Sequence, residues 1–275
     1  MDFAFKFCVG TKSLHVLSSV LHEGEDDLNK AASWAPRWNV DYWNTRLNQI
    51  RVYNASLGME TRELFIVERL ENRLKISGIL FDLVELVSAP MESADFEERS
   101  SYTSSNHVEN PVESWWRLVR AVASIHKSKT RAIMMVLITG TYVSVDNVKA
   151  DFESYCRRFC STECCQSLGL GAAEENRETS SWRSRRFLNY IQRRCPGRRF
   201  HATRSGRFGI GPRILKKGDI CSVLFGSEIP FILRPTGEKS SYKLLGEAYV
   251  EGVMHGEIVR DWQGGLLERD DVILV

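Results

Sequence analysis

Residues 198–257 read RRFHATRSGRFGIGPRILKKGDICSVLFGSEIPFILRPTGEKSSYKLLGEAYVEGVMHGE, and this stretch decides the fold. Two short strand-forming runs flank Ser205-Gly206, a pair suited to a hairpin turn. Lys217-Gly218-Asp219 reads as another turn. It leads into ICSVLF, where Ile220, Val223 and Phe225 favour a strand. FILRP follows Gly226 and Pro230, and YKLLGEAYV follows the polar turn from Thr236 to Ser241. Four or five short strands with tight turns in so short a span predict a small β-barrel or rolled antiparallel sheet.

Upstream of this stretch the pattern is mixed, then helical. In KSLHVLSSVLH (12–22), Leu14, Leu17 and Leu21 fall on one helix face. SWAPRW follows, with Trp34 and Trp38 around Pro36. Proline argues for an extended segment there, with both indoles packed on a core. LFIVERL and LKISGILFDLVEL, separated by Glu71-Asn72-Arg73, predict a β-hairpin. In its second strand Leu74 and Ile76 face inward and Lys75 and Ser77 outward. Residues 90–111, rich in Ser, Glu and Asn, read as a long mobile loop. PVESWWRLVRAVASIH opens with Pro111 at a helix start and sets Trp115, Leu118, Val119 and Val122 at helical spacing. A helix is expected over 145–165 with Asp146 as N-cap, and another from Trp182 to Arg194, ended by Cys195-Pro196-Gly197. The class is therefore α+β, divided into a mixed segment 1–111, a helical segment 112–197 and a β-rich domain 198–275.

The chain has 275 residues, 43% hydrophobic and 26% charged, with a net charge of +2. That is ordinary for a globular protein. The charge is unevenly placed. Between Thr179 and Gly218 there are 12 Lys/Arg and no Asp/Glu, which leaves 25 basic against 35 acidic residues elsewhere. No apolar run approaches a membrane span, and the N-terminus lacks a secretory pattern. Seven cysteines, an odd number, do not read as a disulfide framework, so a reducing cytoplasm is the expected location.

Chemical motifs are sparse. Cys156, Cys160 and Cys164 recur every four residues beside Cys165, a helix stripe whose donors do not converge as zinc ligands do. His15, His22, His107, His126, His201 and His255 form no metal spacing. Gly209-Ile210-Gly211 leads into proline and strand rather than a helix, so it reads as a turn, not a dinucleotide loop. The segment from Trp182 to Gly209 mixes nine arginines with Trp, Phe, Tyr and His, the composition of a nucleic-acid surface, but no known motif frames it. A solvated or internally paired face is the stronger reading, with a protein-interaction surface next. No catalytic, cofactor-binding or metal residue is assigned.

Several pieces, in order, carry a resemblance. They are Leu14 to Leu17, Ser33 to Trp38, Val52 to Ser56, Leu74 to Asp82, Gly197 to Phe200, Gly206 to Pro212, Gly218-Asp219, Pro230 to Pro235, and Gly246 to Val250 with Gly252 and Gly256-Glu257. Together they resemble the region beyond the signalling domain of fungal heterokaryon-incompatibility (HET-domain) proteins. In that family these pieces are a leucine-rich helix, a proline-flanked tryptophan pair, short β segments and a glycine-punctuated C-terminal region. Glu251 and His255 stand where the family often has histidine and aspartate, and its early tyrosine–tryptophan–glycine signature is missing. The HET domain is related to the TIR fold and is the family's presumed trigger of cell death. The resemblance thus implies a sensing or interaction portion without catalysis, as a truncated product, a fragment or a relative lacking the effector. The implied partner is another protein. A nucleic-acid module built on residues 179–218 is the alternative.

Overall fold

The computed structural model describes residues 2–38, 46–47, 52–59, 67–70, 72–96, 110–121, 129–141, 145–170 and 177–275. They form nine strands: β1 Val67–Leu70, β2 Arg73–Pro90, β3 Arg198–Thr203, β4 Phe208–Pro212, β5 Ile220–Leu224, β6 Phe231–Pro235, β7 Ser241–Glu247, β8 Tyr249–Val250 and β9 Asp270–Leu274. They also form seven α-helices: α1 Asp2–Thr11, α2 Pro111–Ala121, α3 Lys129–Leu137, α4 Val145–Phe159, α5 Thr162–Ser167, α6 Arg177–Arg194 and α7 Glu257–Gln263.

Strands β5-β6-β7-β9-β2 pair in that order, and β2 pairs back with β5, which closes a five-stranded barrel. All pairings around it are antiparallel except β7 with β9. The glycine-rich segment therefore forms the expected barrel, but not alone. Its closing strand is β2, from the 1–111 segment. Residues 74–78 of β2 lie against β9, and 78–83 against β5. A register shift between Leu80 and Asp82 interrupts that ladder, and further along β2 pairs with β3. A bulge of this kind bends a strand and lets it serve two sheets. From β3 the sheet extends through β4 to β8.

The barrel core is apolar: Ile76, Val223, Leu233, Leu244 and Val272 are fully buried. The Phe225 ring lies 5.3 Å from Trp262 of α7, which docks that helix on the barrel. Trp115 of α2 stacks on Phe200 of β3 at 4.8 Å, joining helices to sheet, and Phe152 of α4 meets Phe187 of α6 edge-on.

The hairpins form as predicted. β1 and β2 pair antiparallel from Leu70↔Arg73, with Asn72 at φ 69°, and β3 and β4 pair around Ser205-Gly206. Gly218 has φ 91° with open space where a Cβ would sit, and Gly206 has φ 85°. The cost of a side chain at Gly218 is thus conformational rather than steric. Gly218→Val is expected to lower stability by about 1–3 kcal/mol, measured by urea denaturation. A change within error would mean that the turn relaxes.

Several expectations are corrected. Residues 12–22 form no α-helix: α1 ends at Thr11, and a 3-10 turn follows over His15–Ser19. Leu14 and Leu17 are buried there all the same. Pro36 follows a turn rather than an extended run, with Ala35 N donating to Ala32 O. Only Trp34 enters the core, its Nε1 donating to Asn72 O at 2.9 Å. Trp38 is 57% exposed and edge-on to Phe3. Residues 52–59 form a turn, not a β segment. Ser77 is fully buried rather than facing solvent. The helix expected over 145–165 breaks at Cys160, and Ser161 caps α5 by accepting from Cys164 N. Val122, His107, His126 and most of the 90–111 loop lie outside the described residues, as does the Asp146 side chain.

Candidate functional site

Charged residues embedded in the strands organise the most polar part of the interior. Arg234 of β6 is fixed bidentately to Asp219, Nε to Oδ1 at 2.7 Å and Nη2 to Oδ2 at 2.9 Å. Its Nη1 also donates to Glu25. Asp219 in turn accepts from Lys216 N, so one carboxylate ties the Gly218 turn to β6. A planar fork on a carboxylate is the strong form of such a pair.

The second pair is more deeply placed. Arg198, at the start of β3, donates through Nη2 to Oε1 of Glu247, at the end of β7, over 2.6 Å. The two side chains are 5% and 6% exposed. The same Oε1 accepts from Leu47 N at 2.6 Å. This pair joins barrel, extension sheet and N-terminal segment at one point. Both residues line a cleft with Val20, Leu21, Pro212 and Leu245.

The Arg-rich segment is largely spent on internal contacts. Arg186 pairs with Asp151, Arg207 with Asp82, Arg213 with Glu92, Lys216 with Glu25 and Lys217 with Glu85, besides Arg198 with Glu247. Arg199 donates to the carbonyls of Arg213 and Ser88, and Arg194 to Thr139 Oγ1. Arg204, Lys216 and Lys217 are exposed, and a further exposed set forms a stripe on α6. Trp182, Arg185, Asn189 and Arg193 are exposed at spacings of three and four, one helix face. Trp182 is 57% exposed, with the Arg186 guanidinium 4.0 Å from its ring centroid.

The structure does bring one cysteine to a histidine: Cys221 Sγ lies 3.9 Å from His201 Nε2. Both residues are fully buried. Burial pushes the Cys221 thiol up and the His201 imidazole down to about 4. A nucleophilic pair requires the opposite, a thiolate beside an imidazolium. Gly209 and Gly211 lie in β4, not in a turn, and pack against the His201 ring.

Cys156, Cys160, Cys164 and Cys165 are all buried at the joint between α4 and α5. Burial raises the Cys156 and Cys165 thiols; Cys160 is raised first by the Cys156 thiol, and Cys164 first by Cys160. Among the described residues no group of three His, Cys, Asp or Glu side chains is arranged to hold a metal ion. Purified protein is expected to carry no stoichiometric zinc and to keep its melting curve in chelator. One zinc per chain by elemental analysis would overturn this.

Sequence reasoning missed Glu251. Burial pushes its carboxyl up to about 7, against the Arg131 charge and a hydrogen bond from Tyr249. Its Oε2 is buried without a partner. An unfolded glutamate ionises near 4.5, so the unfolded state loses its proton first and stability falls as pH rises from there to about 7. The whole loss is about 3 kcal/mol. Glu251→Gln is expected to melt progressively higher than the wild type between pH 5 and pH 8. A constant difference across that range would refute the assignment.

Known proteins place this geometry. The family model described as the Het-6 beta-barrel domain matches residues 126–275. A curated relative, "Heterokaryon incompatibility protein 6, OR allele" of Neurospora crassa, is 39% identical over 85 residues, covering 30% of this chain and 12% of that protein. No solved structure matches. The matched residues contain seven of the nine described strands, β3 to β9; β2, which closes the barrel, lies upstream of them. With more than half of its length matched by that model, the chain belongs to the Het-6 β-barrel family of fungal heterokaryon-incompatibility proteins.

Proposed function

We propose that this chain is the non-catalytic sensing or interaction portion of a fungal heterokaryon-incompatibility protein, acting in the cytoplasm on another protein. The observation that carries this reading is the α6 stripe. An exposed tryptophan, held by the Arg186 guanidinium and continued by Arg185 and Arg193, is the kind of aromatic–arginine surface on which protein contacts concentrate. The buried, neutral Cys221 and His201 support a role without nucleophilic chemistry. All seven cysteines are free and buried, which supports a reducing compartment.

Expressed alone in a fungal cell, the chain is expected to be silent. Co-expressed with a full-length relative, it should weaken the incompatibility response by competing for the partner. The double variant Trp182→Ala, Arg193→Glu should lose that competition while melting normally. Growth arrest by the chain alone, abolished by one substitution that leaves it folded, would sink the reading. A steeply salt-dependent shift of labelled DNA or RNA, lost in the same variant, would replace it with nucleic-acid binding.

A further inference from the structure

On α6, Trp182 and Arg193 are eleven residues apart. That is three helical turns to within about 20° of rotation, so the two side chains leave the helix on one line about 16 Å apart. Asn189 lies between them, and all three are exposed. The Trp182 ring is fixed in place, because the Arg186 guanidinium over its face is itself held by Asp151 of α4. Arg193 is different. Among the described residues no carboxylate pairs with it, and from Thr179 to Gly218 the sequence supplies no Asp or Glu. Glu178, the one acidic residue in α6, stands a turn beyond Trp182, on the side away from Arg193.

A fixed ring and an uncompensated cation at a set separation define what fits them. The ring takes an apolar side chain and the cation takes a carboxylate. The backbone of α6 is hydrogen-bonded within the helix, so the amides of an extended strand laid on it would lose water without gaining partners. A second helix satisfies its own amides and keeps step with α6 along the axis. We infer that the partner presents an acidic amphipathic helix to α6, with an aliphatic side chain on Trp182 and, eleven residues along, a carboxylate on Arg193. This rests on the interaction reading above and names the chemistry of its partner. A nucleic-acid strand fits less well. It needs successive stacking rings and a run of cations, whereas this line offers one ring and sets the neutral Asn189 before Arg193.

The test uses fluorescein-labelled, alanine-rich helical peptides and fluorescence anisotropy with the full chain. The acidic probe carries Leu and, eleven residues on, Glu. One counterpart has Lys in place of the Glu, and another has Ala in place of the Leu. The acidic probe is expected to bind saturably, with both counterparts about tenfold weaker. Arg193→Glu, at an exposed position, should reverse the preference so that the Lys peptide binds tighter. Trp182→Ala should remove the advantage of Leu over Ala. A reversal of charge preference reads the contact itself, and a loss of folding would not reproduce it. No saturable binding of the acidic probe, an unchanged preference in Arg193→Glu, or tighter binding of a labelled single-stranded oligonucleotide would overturn the inference. Because the peptides are synthetic, the two readings fail separately. Competition in the cell without binding of the acidic probe would keep the interaction reading and discard the acidic helix. Binding and reversal without competition would keep the surface and discard its role in incompatibility.

Discussion

Arg198→Ala is expected to lower unfolding free energy by about 3–5 kcal/mol, the cost of leaving one member of a buried pair without the other. The Glu247 carboxylate would remain buried, retaining only the Leu47 amide. Glu247→Ala should cost a similar amount, since it strands the guanidinium and removes the acceptor of Leu47 N. The pair and not either residue is the unit, so Arg198→Met with Glu247→Leu should recover most of the loss. Urea denaturation of the four proteins measures this directly. Single variants within 1 kcal/mol of wild type, roughly the worth of an exposed pair, would mean that water reaches the site.

Gly209→Val should cost about 3 kcal/mol, at the upper end for overpacking, or prevent folding. A Cβ at this position would stand 2.4 Å from Tyr249 O and 2.6 Å from His201 Cε1. The first contact is backbone of the paired strand β8 and cannot swing aside. The second is a fully buried ring. Adding His201→Ala should therefore restore only part of the stability. Complete recovery in the double variant would show that the ring alone enforces glycine here.

The barrel was largely legible because its turns are chemically marked. Gly218 and Gly226, which flank β5, have positive φ, as does Gly206 in the adjoining β3–β4 hairpin. The closing partner was not legible: β2 is an apolar run far upstream, and local pattern carries no record of which distant strand it meets. β9 was missed for a related reason, as a five-residue strand beyond a helix that has no proline and no side-chain N-cap; α7 begins instead at Gly256 with φ 85°. α1 was missed because Val9, Gly10 and Thr11 lower helix propensity, which packing of Ala4 and Cys8 overrides. Of the polar interior, the signal was present and unread. Arg234 in FILRP and Glu247 in LLGEAYV are charges inside apolar strand runs, and a buried charge requires a partner. Which partner it meets is decided by the fold.

The seam between β2 and β9 joins Leu74 to Leu274, 200 positions along the chain. During synthesis the barrel therefore cannot close until β9 has been translated and has left the ribosome. Until then β2 and β7 present open edges, the condition in which nascent chains aggregate or engage chaperones. A nonsense mutation at Asp270, the first residue of β9, would leave the Arg198–Glu247 and Arg234–Asp219 pairs encoded, yet release a product whose barrel never closes.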